Sequence, residues 1–320
     1  MFKGLNEEKT LRTIKQEIEK EWIRGFQRDL AVKDYSPVSV KGYTQDVKLF
    51  LEWYMSVRGP IFLEKIIGFD LMIYRKHLLS DKKYKGSTIN RKIQALRQFF
   101  RWAHNIGLIK TEISLEARFV RTSKRHRPMH LNRREINVLM RAANVTRSFV
   151  GARNIAIIQL FLNSGIRVAE MAGLTISDVK ISDRCGVLRI REGKGGKERE
   201  VPLNKVARLA LSTHLQTLGK VTSPDIQLFL SERKTPLSRR AIQSIISQTA
   251  KRSEISRIQV SAHTLRHTFA MNYMLANPGK LVELANLLGH ESLDTTSIYL
   301  RPSREDLAED LERMTSDSNA

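Results

Sequence analysis

The stretch SAHTLRHTFA, residues 261–270, places two histidines and an arginine within five residues. In a helix, His263 and Arg266 are three residues apart and His263 and His267 are four apart, so the three side chains share one face. A cationic face whose histidines carry protons suits a metal ion, a protein carboxylate or a phosphate. The rest of the chain decides among these ligands.

A metal is the least supported of the three. The stretch lacks the interior glutamate of a His-Glu-x-x-His zinc helix. The single cysteine, Cys185, excludes an internal disulfide and a cysteine-based zinc site. GKGGK (193–197) lacks the spacing and the Ser/Thr of a Walker A loop, and no G-x-S-x-G hydrolase elbow occurs. We therefore expect no metal and no other cofactor.

The charge of the chain favours a polyanion. Lys+Arg 55 against Asp+Glu 33 gives a net charge of +22, while a hydrophobic fraction of 41% suffices for globular cores. The apolar run IAIIQLFL (155–162) is far shorter than the ~20 residues of a membrane span, and no secretory signal opens the chain. We expect a cytoplasmic protein that binds nucleic acid. On charge alone, a ribosome-associated or anionic-membrane binder is the alternative.

Residues 1–116 have the apolar spacing of helices. Ser36 and Pro37 suit the start of one helix, Asp70 suits the start of another, and Gly107 suits the end of a third. The polar side of this third helix is a predicted nucleic-acid surface, with a solvated face as the alternative. It carries Arg91, Lys92, Arg97 and Arg101.

Residues 117–130 form a predicted interdomain linker. The segment has no helical periodicity and no acidic residue, so it could follow a phosphate backbone or simply connect two domains. Its cationic residues are Arg118, Arg121, Lys124, Arg125 and Arg127.

Residues 131–300 predict a second, mostly helical domain. It opens with Asn132 and Glu135 at capping-box spacing, and GVLRIREGKGGKEREVPL (186–203) reads as a β-hairpin that turns at Gly195-Gly196. The fold class is thus mainly α with a small antiparallel β-sheet. Helices are expected near 152–163, 204–218, 238–251, 263–276 and 279–288.

This second domain supplies the groups that metal-free phosphodiester chemistry needs. Arginines can clamp a phosphate in a bidentate way and stabilise its transition state. Histidine and lysine can transfer protons, and a tyrosine can form a covalent intermediate. The candidates are Arg167, Lys194, Lys197, His263, Arg266, His290 and Tyr299.

Each candidate also has a structural alternative. Arg167 could pair with Glu170 on one helix face, and Lys194 could be a solubilising charge at a turn. His263 and Tyr299 could be core residues. The functional reading therefore depends on all of them occurring together and in one order.

That order resembles the tyrosine recombinase family, which includes phage integrases and Xer-like proteins. GIRVAEMAGL (165–174), GKGGKEREVPL (193–203), HTLRHTFA (263–270) and LLGHESLDTTSIY (287–299) match its motifs, with Tyr299 nine residues after His290. The resemblance spans 131–300 and extends more weakly to 20–116. One departure is Leu-Arg after Tyr299, where Xer-like members often have Thr-His.

The resemblance implies a role for each matched residue. Arg167 and Arg266 would clamp the phosphate, and Tyr299 would attack it. His263 would act as the acid/base histidine, and His290 would assist at the phosphate. Lys194 would protonate the leaving 5′ oxygen. Lys197 is the competing candidate for this role, and if Lys194 is the proton donor, Lys197 would contact DNA. His267 would be a packing or orienting neighbour.

The resemblance also implies an architecture and an activity. A helical core-binding domain (1–116) and a mixed α/β catalytic domain (131–300) would clamp duplex DNA at specific sites. The enzyme would act as a homo-tetramer on two sites, in integration, excision, resolution or transposition, as in mobile elements. The alternatives are a monomeric type IB topoisomerase and a DNA-binding protein without catalysis.

The tail, residues 301–320, differs from the rest of the chain. Leu307 and Leu311 are four residues apart beside an acidic face, which suits a short helix that docks on a neighbouring protomer. A solvated terminus is the alternative. The acidic residues are Glu305, Asp306, Glu309, Asp310 and Glu312.

Overall fold

A computed structural model describes residues 21–121, 129–144, 149–191, 198–219, 223–290 and 292–300. The chain divides into two compact units, Met1–Lys124 and Arg125–Ala320. The boundary between them falls inside the predicted linker 117–130.

The first unit consists of helices. After α1, which covers residues 21–32, come α2 (Pro37–Arg58), α3 (Gly68–Ser80) and α4 (Gly86–Asn105). Short 3-10 turns at Leu63–Lys65 and Ser114–Glu116 follow α2 and α4.

The ends of these helices follow from local hydrogen bonding. Ser36 caps α2, since its hydroxyl accepts a bond from the Ser39 amide and Pro37 takes the first helical position. The predicted start of α3 at Asp70 is two residues late. Asp70 instead occupies the first turn and accepts a bond from the Ile67 amide. Gly107, with φ +77°, ends α4 as predicted.

The core of the first unit is rich in aromatic side chains. Phe26, Phe50, Phe99 and Phe100 have no exposed surface, and the ring pair Phe26–Phe99 packs edge to face with centroids 5.4 Å apart. These contacts join α1, α2 and α4.

One of the predicted DNA contacts on α4 lies inside this unit. The Lys92 ammonium donates to Asp46 Oδ1 at 2.8 Å, and both residues are buried. Arg91 donates to the same carboxylate at 3.0 Å. We therefore do not retain Lys92 as a DNA contact, because an ammonium buried against a carboxylate cannot reach a phosphate.

The other two cations on α4 also have partners. Arg97 donates to the Ser114 carbonyl at 3.2 Å and lies over the Phe119 ring, while Arg101 lies 3.7 Å from Glu112. The Asn90 side chain bonds both backbone groups of Val120. The first residues of the predicted linker are therefore anchored to α4.

The second unit is mostly helical, as predicted. Asn132 and Glu135 form the expected capping box at the start of the first helix of this unit, α5. The described helices are α5 (Arg133–Ala143), α6 (Phe149–Ser164), α7 (Val168–Gly173), α8 (Lys205–Leu218), α9 (Arg239–Arg252), α10 (Ala262–Ala276), α11 (Leu281–Leu288) and α12 (Leu293–Thr296).

A small sheet lies beside these helices. The predicted hairpin pairs β2 (Gly186–Ile190) with β3 (Arg199–Pro202) in antiparallel register. A third strand, β1 (Val179–Ile181), which the sequence had not predicted, pairs with the other edge of β2. The predicted turn at Gly195-Gly196 lies outside the described residues.

Apolar packing places the C-terminal part of the described chain against α10. Met271 and Met274 of α10 pack with Leu284 and Leu288 of α11 and with Tyr299. Tyr299 ends a 3-10 turn, Ser297–Tyr299, that directly follows α12. This packing brings Tyr299 to the helix that carries the SAHTLRHTFA motif.

Candidate active site

Arg266 lies at the centre of the site. Its guanidinium donates to the Gly165 carbonyl at 2.6 Å and to the Leu288 carbonyl at 2.8 Å. The residue is only 6% exposed. Burial and the neighbouring Arg167 lower the pKa of Arg266 to about 10, so it remains charged at neutral pH.

Arg167 precedes α7 and reaches the turn Leu288–His290, which Arg266 also contacts. It caps this helix, where its amide and guanidinium donate to Glu170 at 2.7 and 3.0 Å. The second guanidinium nitrogen donates to the Gly289 carbonyl at 2.7 Å. The predicted ion pair between Arg167 and Glu170 therefore exists, and Arg167 contacts the Gly289 carbonyl at the same time. The two arginines bind the carbonyls of the consecutive residues Leu288 and Gly289.

Glycines allow this close approach. Gly289 has φ +63°, a backbone conformation that suits glycine, and it ends α11. Gly165 has φ +60°, and an added Cβ there would lie 2.3 Å from the Phe269 ring. Both turns carry a carbonyl that accepts from a candidate arginine.

His290 is a neutral imidazole with a defined tautomer. Arg266 lies 2.9 Å from Nε2, and arginine can only donate, so Nε2 must be the acceptor. The proton is therefore on Nδ1, 2.7 Å from the Thr296 hydroxyl. Burial and Arg266 lower the pKa of His290 to about 4, which keeps the ring neutral.

Tyr299 is held by His267. The phenol oxygen lies 2.7 Å from His267 Nδ1, and Tyr299 is 4% exposed. Burial raises the pKa of Tyr299 to about 12, although Arg266 opposes the shift, so the phenol is protonated at neutral pH. Burial, with His263 and Arg266, lowers the pKa of His267 to about 4.

The remaining candidates are placed differently. His263 lies in the first turn of α10 and is exposed, one turn from His267. Lys194 and Lys197 lie outside the described residues, as do Lys124, Arg125 and Arg127. Arg118 and Arg121 lie in the described part of the predicted linker, and both are exposed.

Sequence reasoning missed Arg199. Its guanidinium donates to both oxygens of Glu170 at 2.9 Å and to the Leu287 carbonyl at 3.2 Å. Strand alternation carries the signal that could have found it, because Arg199 shares a face of β3 with the buried Val201. An arginine that faces a core needs an anionic partner.

Comparison with protein-family models gives a match in each of the two units. The phage integrase family matches residues 129–306, and the N-terminal SAM-like domain of phage integrases matches residues 23–106. The chain belongs to the phage integrase family. It is a tyrosine site-specific recombinase with the two-domain architecture that the motifs implied.

Members of this family are similar to the chain in sequence over most of its length. It is 32% identical to the tyrosine recombinase XerC of Oceanobacillus iheyensis over 87% of this chain and 90% of the relative. It is 35% identical to XerC of Syntrophus aciditrophicus, over 87% and 92%. The structure of the XerH site-specific recombinase bound to its difH substrate has the same fold, with a TM-score of 0.69, 22% identity and coverage of 87% and 80%.

Two observations on the described part of the recombinase concern metals and membranes. No three side chains among its histidines, cysteines, aspartates and glutamates are grouped to hold a metal ion. In the same ranges, every helix is too short or too polar to span a bilayer.

Proposed function

We propose that Tyr299 is the nucleophile and that Arg167 and Arg266 bind the scissile phosphodiester of duplex DNA. The observation that carries this assignment is that α10 and the start of α7 both reach the Leu288–His290 turn, while α10 also holds Tyr299. Arg266 contacts the Leu288 carbonyl and His290, and Arg167 contacts the Gly289 carbonyl. His267, next to Arg266 in sequence, holds Tyr299.

The proposed reaction conserves a phosphodiester bond. Tyr299 Oη attacks phosphorus, the bond to the 5′ oxygen breaks, and a 3′-phosphotyrosine forms. Lys194 gives a proton to the leaving 5′ oxygen, and Lys197 is the competing donor. The 5′-hydroxyl of a partner strand then reverses the step, so no ATP is consumed.

The two arginines supply the electrostatic part of catalysis. Negative charge develops on the non-bridging oxygens in the transition state, and fixed guanidinium groups stabilise it without rearranging. His290 assists at the phosphate through Arg266, because its Nε2 accepts from that guanidinium and orients it. His263, exposed at the first turn of α10, would act as the acid/base histidine. In this scheme the protein uses neither a metal nor another cofactor.

Basic residues outside the site would bind the DNA backbone. Arg118 and Arg121 are exposed, and Arg91 and Arg101 keep about half of their side chains accessible at 48% and 46%. We include Arg97 with them and leave out Lys92. The XerH recombinase, which has the same fold, was solved bound to its DNA substrate, and this supports DNA as the partner. The predicted contacts outside the described residues complete the surface, namely Lys124, Arg125, Arg127 and Lys197.

The reaction implies a homo-tetramer. Recombination between two duplexes cuts four strands, and each protomer offers one Tyr299, so four protomers are required. We propose that the tail 301–320, which lies outside the described residues, docks on the next protomer and closes this ring. Action on chromosomal or mobile-element DNA would place the enzyme in the cytoplasm.

Substitution of Tyr299 tests the assignment. Tyr299→Phe removes only the hydroxyl, so site DNA should bind normally while no covalent complex forms on a nicked substrate. Tyr273→Phe is the matched control, because Tyr273 packs against the same apolar cluster. A covalent complex with Tyr299→Phe, lost in Tyr273→Phe, would overturn the proposal.

A further inference from the structure

Arg199 occupies a position that the reaction scheme does not use. It begins β3, its side chain is 14% exposed, and its two terminal nitrogens pair with the two oxygens of Glu170. Such a fork fixes the geometry of both partners. The Nε–H donates to the Leu287 carbonyl at the end of α11. One side chain thus joins the hairpin, α7 and the turn that carries His290.

The fit against that turn is close. A Cβ added at Gly289 would lie 2.8 Å from Arg199 Nη1. The guanidinium therefore packs directly on the Gly289 backbone, whose carbonyl accepts from Arg167. Displacement of Arg199 would release the turn on one side while Arg167 holds it on the other.

The charges around Glu170 give a second role. Glu170 is 7% exposed, and burial alone would raise its pKa. The hydrogen bonds from Arg199 and Arg167 nevertheless hold the pKa of Glu170 below its ordinary value, so it is an anion. One buried carboxylate is thus shared by two guanidinium groups. If Arg199 were absent, Arg167 would be the one guanidinium among the described residues that still bonds to this carboxylate.

We propose that Arg199 is a positioning residue for strand cleavage. It neutralises Glu170, which leaves the charge of Arg167 available to the scissile phosphate, and it fixes the Gly289–His290 turn. This inference rests on the proposed phosphate-binding role of Arg167. Arg199 itself binds carboxylate and backbone rather than DNA.

The test compares variants on two substrates. Single-turnover cleavage is measured on a nicked site with an ordinary scissile phosphate, and again with a methylphosphonate, which carries no charge there. Arg199→Met should bind DNA normally yet cleave the phosphate substrate roughly 100-fold more slowly, the scale for loss of one electrostatic contribution. On the methylphosphonate substrate, the cleavage rates of Arg199→Met and wild type should differ by no more than roughly fivefold, since less negative charge develops at the phosphorus.

Further variants separate charge from packing. Arg199→Lys keeps the charge and should recover part of the rate. Adding Glu170→Gln to Arg199→Met removes the carboxylate charge and should also recover part of it. Arg189→Met is the control, because Arg189 pairs with Glu198 in the same hairpin and is 48% exposed. It should cleave at the wild-type rate.

Two outcomes would overturn the inference. The first is an Arg199→Met rate equal to wild type. The second is a deficit of the same size on both substrates with no recovery from Glu170→Gln, which would mean that Arg199 only stabilises the fold. Arg167→Met tests the underlying proposal separately. If that variant cleaves the phosphate substrate normally, the phosphate-binding role itself is wrong.

Discussion

Mild acid should destabilise the second unit through histidines that are partly or fully buried. Burial lowers the pKa of His267 and of His290 to about 4, and it also lowers the pKa of His214. Each folded ring therefore binds a proton less readily than the same ring in the unfolded chain. Stability is complete above pH 6.5, the ordinary pKa of histidine, and is lost as the pH falls from 6.5 towards 4.

The size of the effect follows from the pKa values. The gap between 6.5 and about 4 corresponds to ~3 kcal/mol for each of His267 and His290. Partial contact with solvent reduces this to ~2 kcal/mol each. Near pH 5.5, each ring should contribute a slope of about 1 kcal/mol per pH unit to the free energy of unfolding.

Urea unfolding of the full chain between about pH 7.5 and about pH 5 measures this slope. Trp22, Trp53 and Trp102 all lie in the first unit, so fluorescence follows that unit while circular dichroism follows both. His267→Gln should lower the slope of the second unit by about 1 kcal/mol per pH unit.

His263→Gln is the matched control for this measurement, because His263 is exposed one turn earlier on the same helix. It should leave most of the slope in place, because burial is a larger cause of the lowered pKa of His267 than the neighbouring His263. Equal slopes in wild type and His267→Gln would refute the claim that His267 is held neutral against Tyr299.

Three other predictions concern the stability of the first unit, DNA binding and assembly. Lys92→Met should destabilise the first unit by ~3 kcal/mol because it leaves Asp46 underpaired, yet it should not alter the slope of log K against log salt. Arg118→Ala and Arg121→Ala should each lower that slope by about 0.9, and an unchanged slope would make the segment a mere connector. Truncation after Arg301 should preserve binding to one site but weaken tetrameric synapsis, measured by light scattering. Normal synapsis and recombination would return the tail to a solvated terminus.

The sequence predicted the main elements because their signals are local. Apolar periodicity, the caps at Ser36 and Asn132, and Gly107 specify helices over short stretches. The short strand β1 was missed because three residues give little alternation. Motif order also predicted that Arg167, Arg266 and His290 would lie together, and their shared contacts with one turn agree with this.

What the sequence left open depends on tertiary contacts. Lys92 lies three residues after the buried Ile89 and four before the buried Leu96, so helical spacing places it on the apolar stripe. Its charge suggested an exposed position, and only the packing of α2 against α4 provides Asp46 as a partner. The Arg199–Glu170 fork and the His267–Tyr299 bond likewise join distant segments that no local pattern relates.

Mapping the covalent bond between protein and DNA tests directly whether Tyr299 is the nucleophile. A nicked site is cleaved in excess EDTA, the complex is trapped, and its tryptic peptides are sequenced by mass spectrometry. The adduct should be a 3′-linked nucleotide on Tyr299, and it should form without a divalent metal. An adduct on Tyr273, or cleavage that requires added metal and leaves no protein–DNA bond, would contradict it.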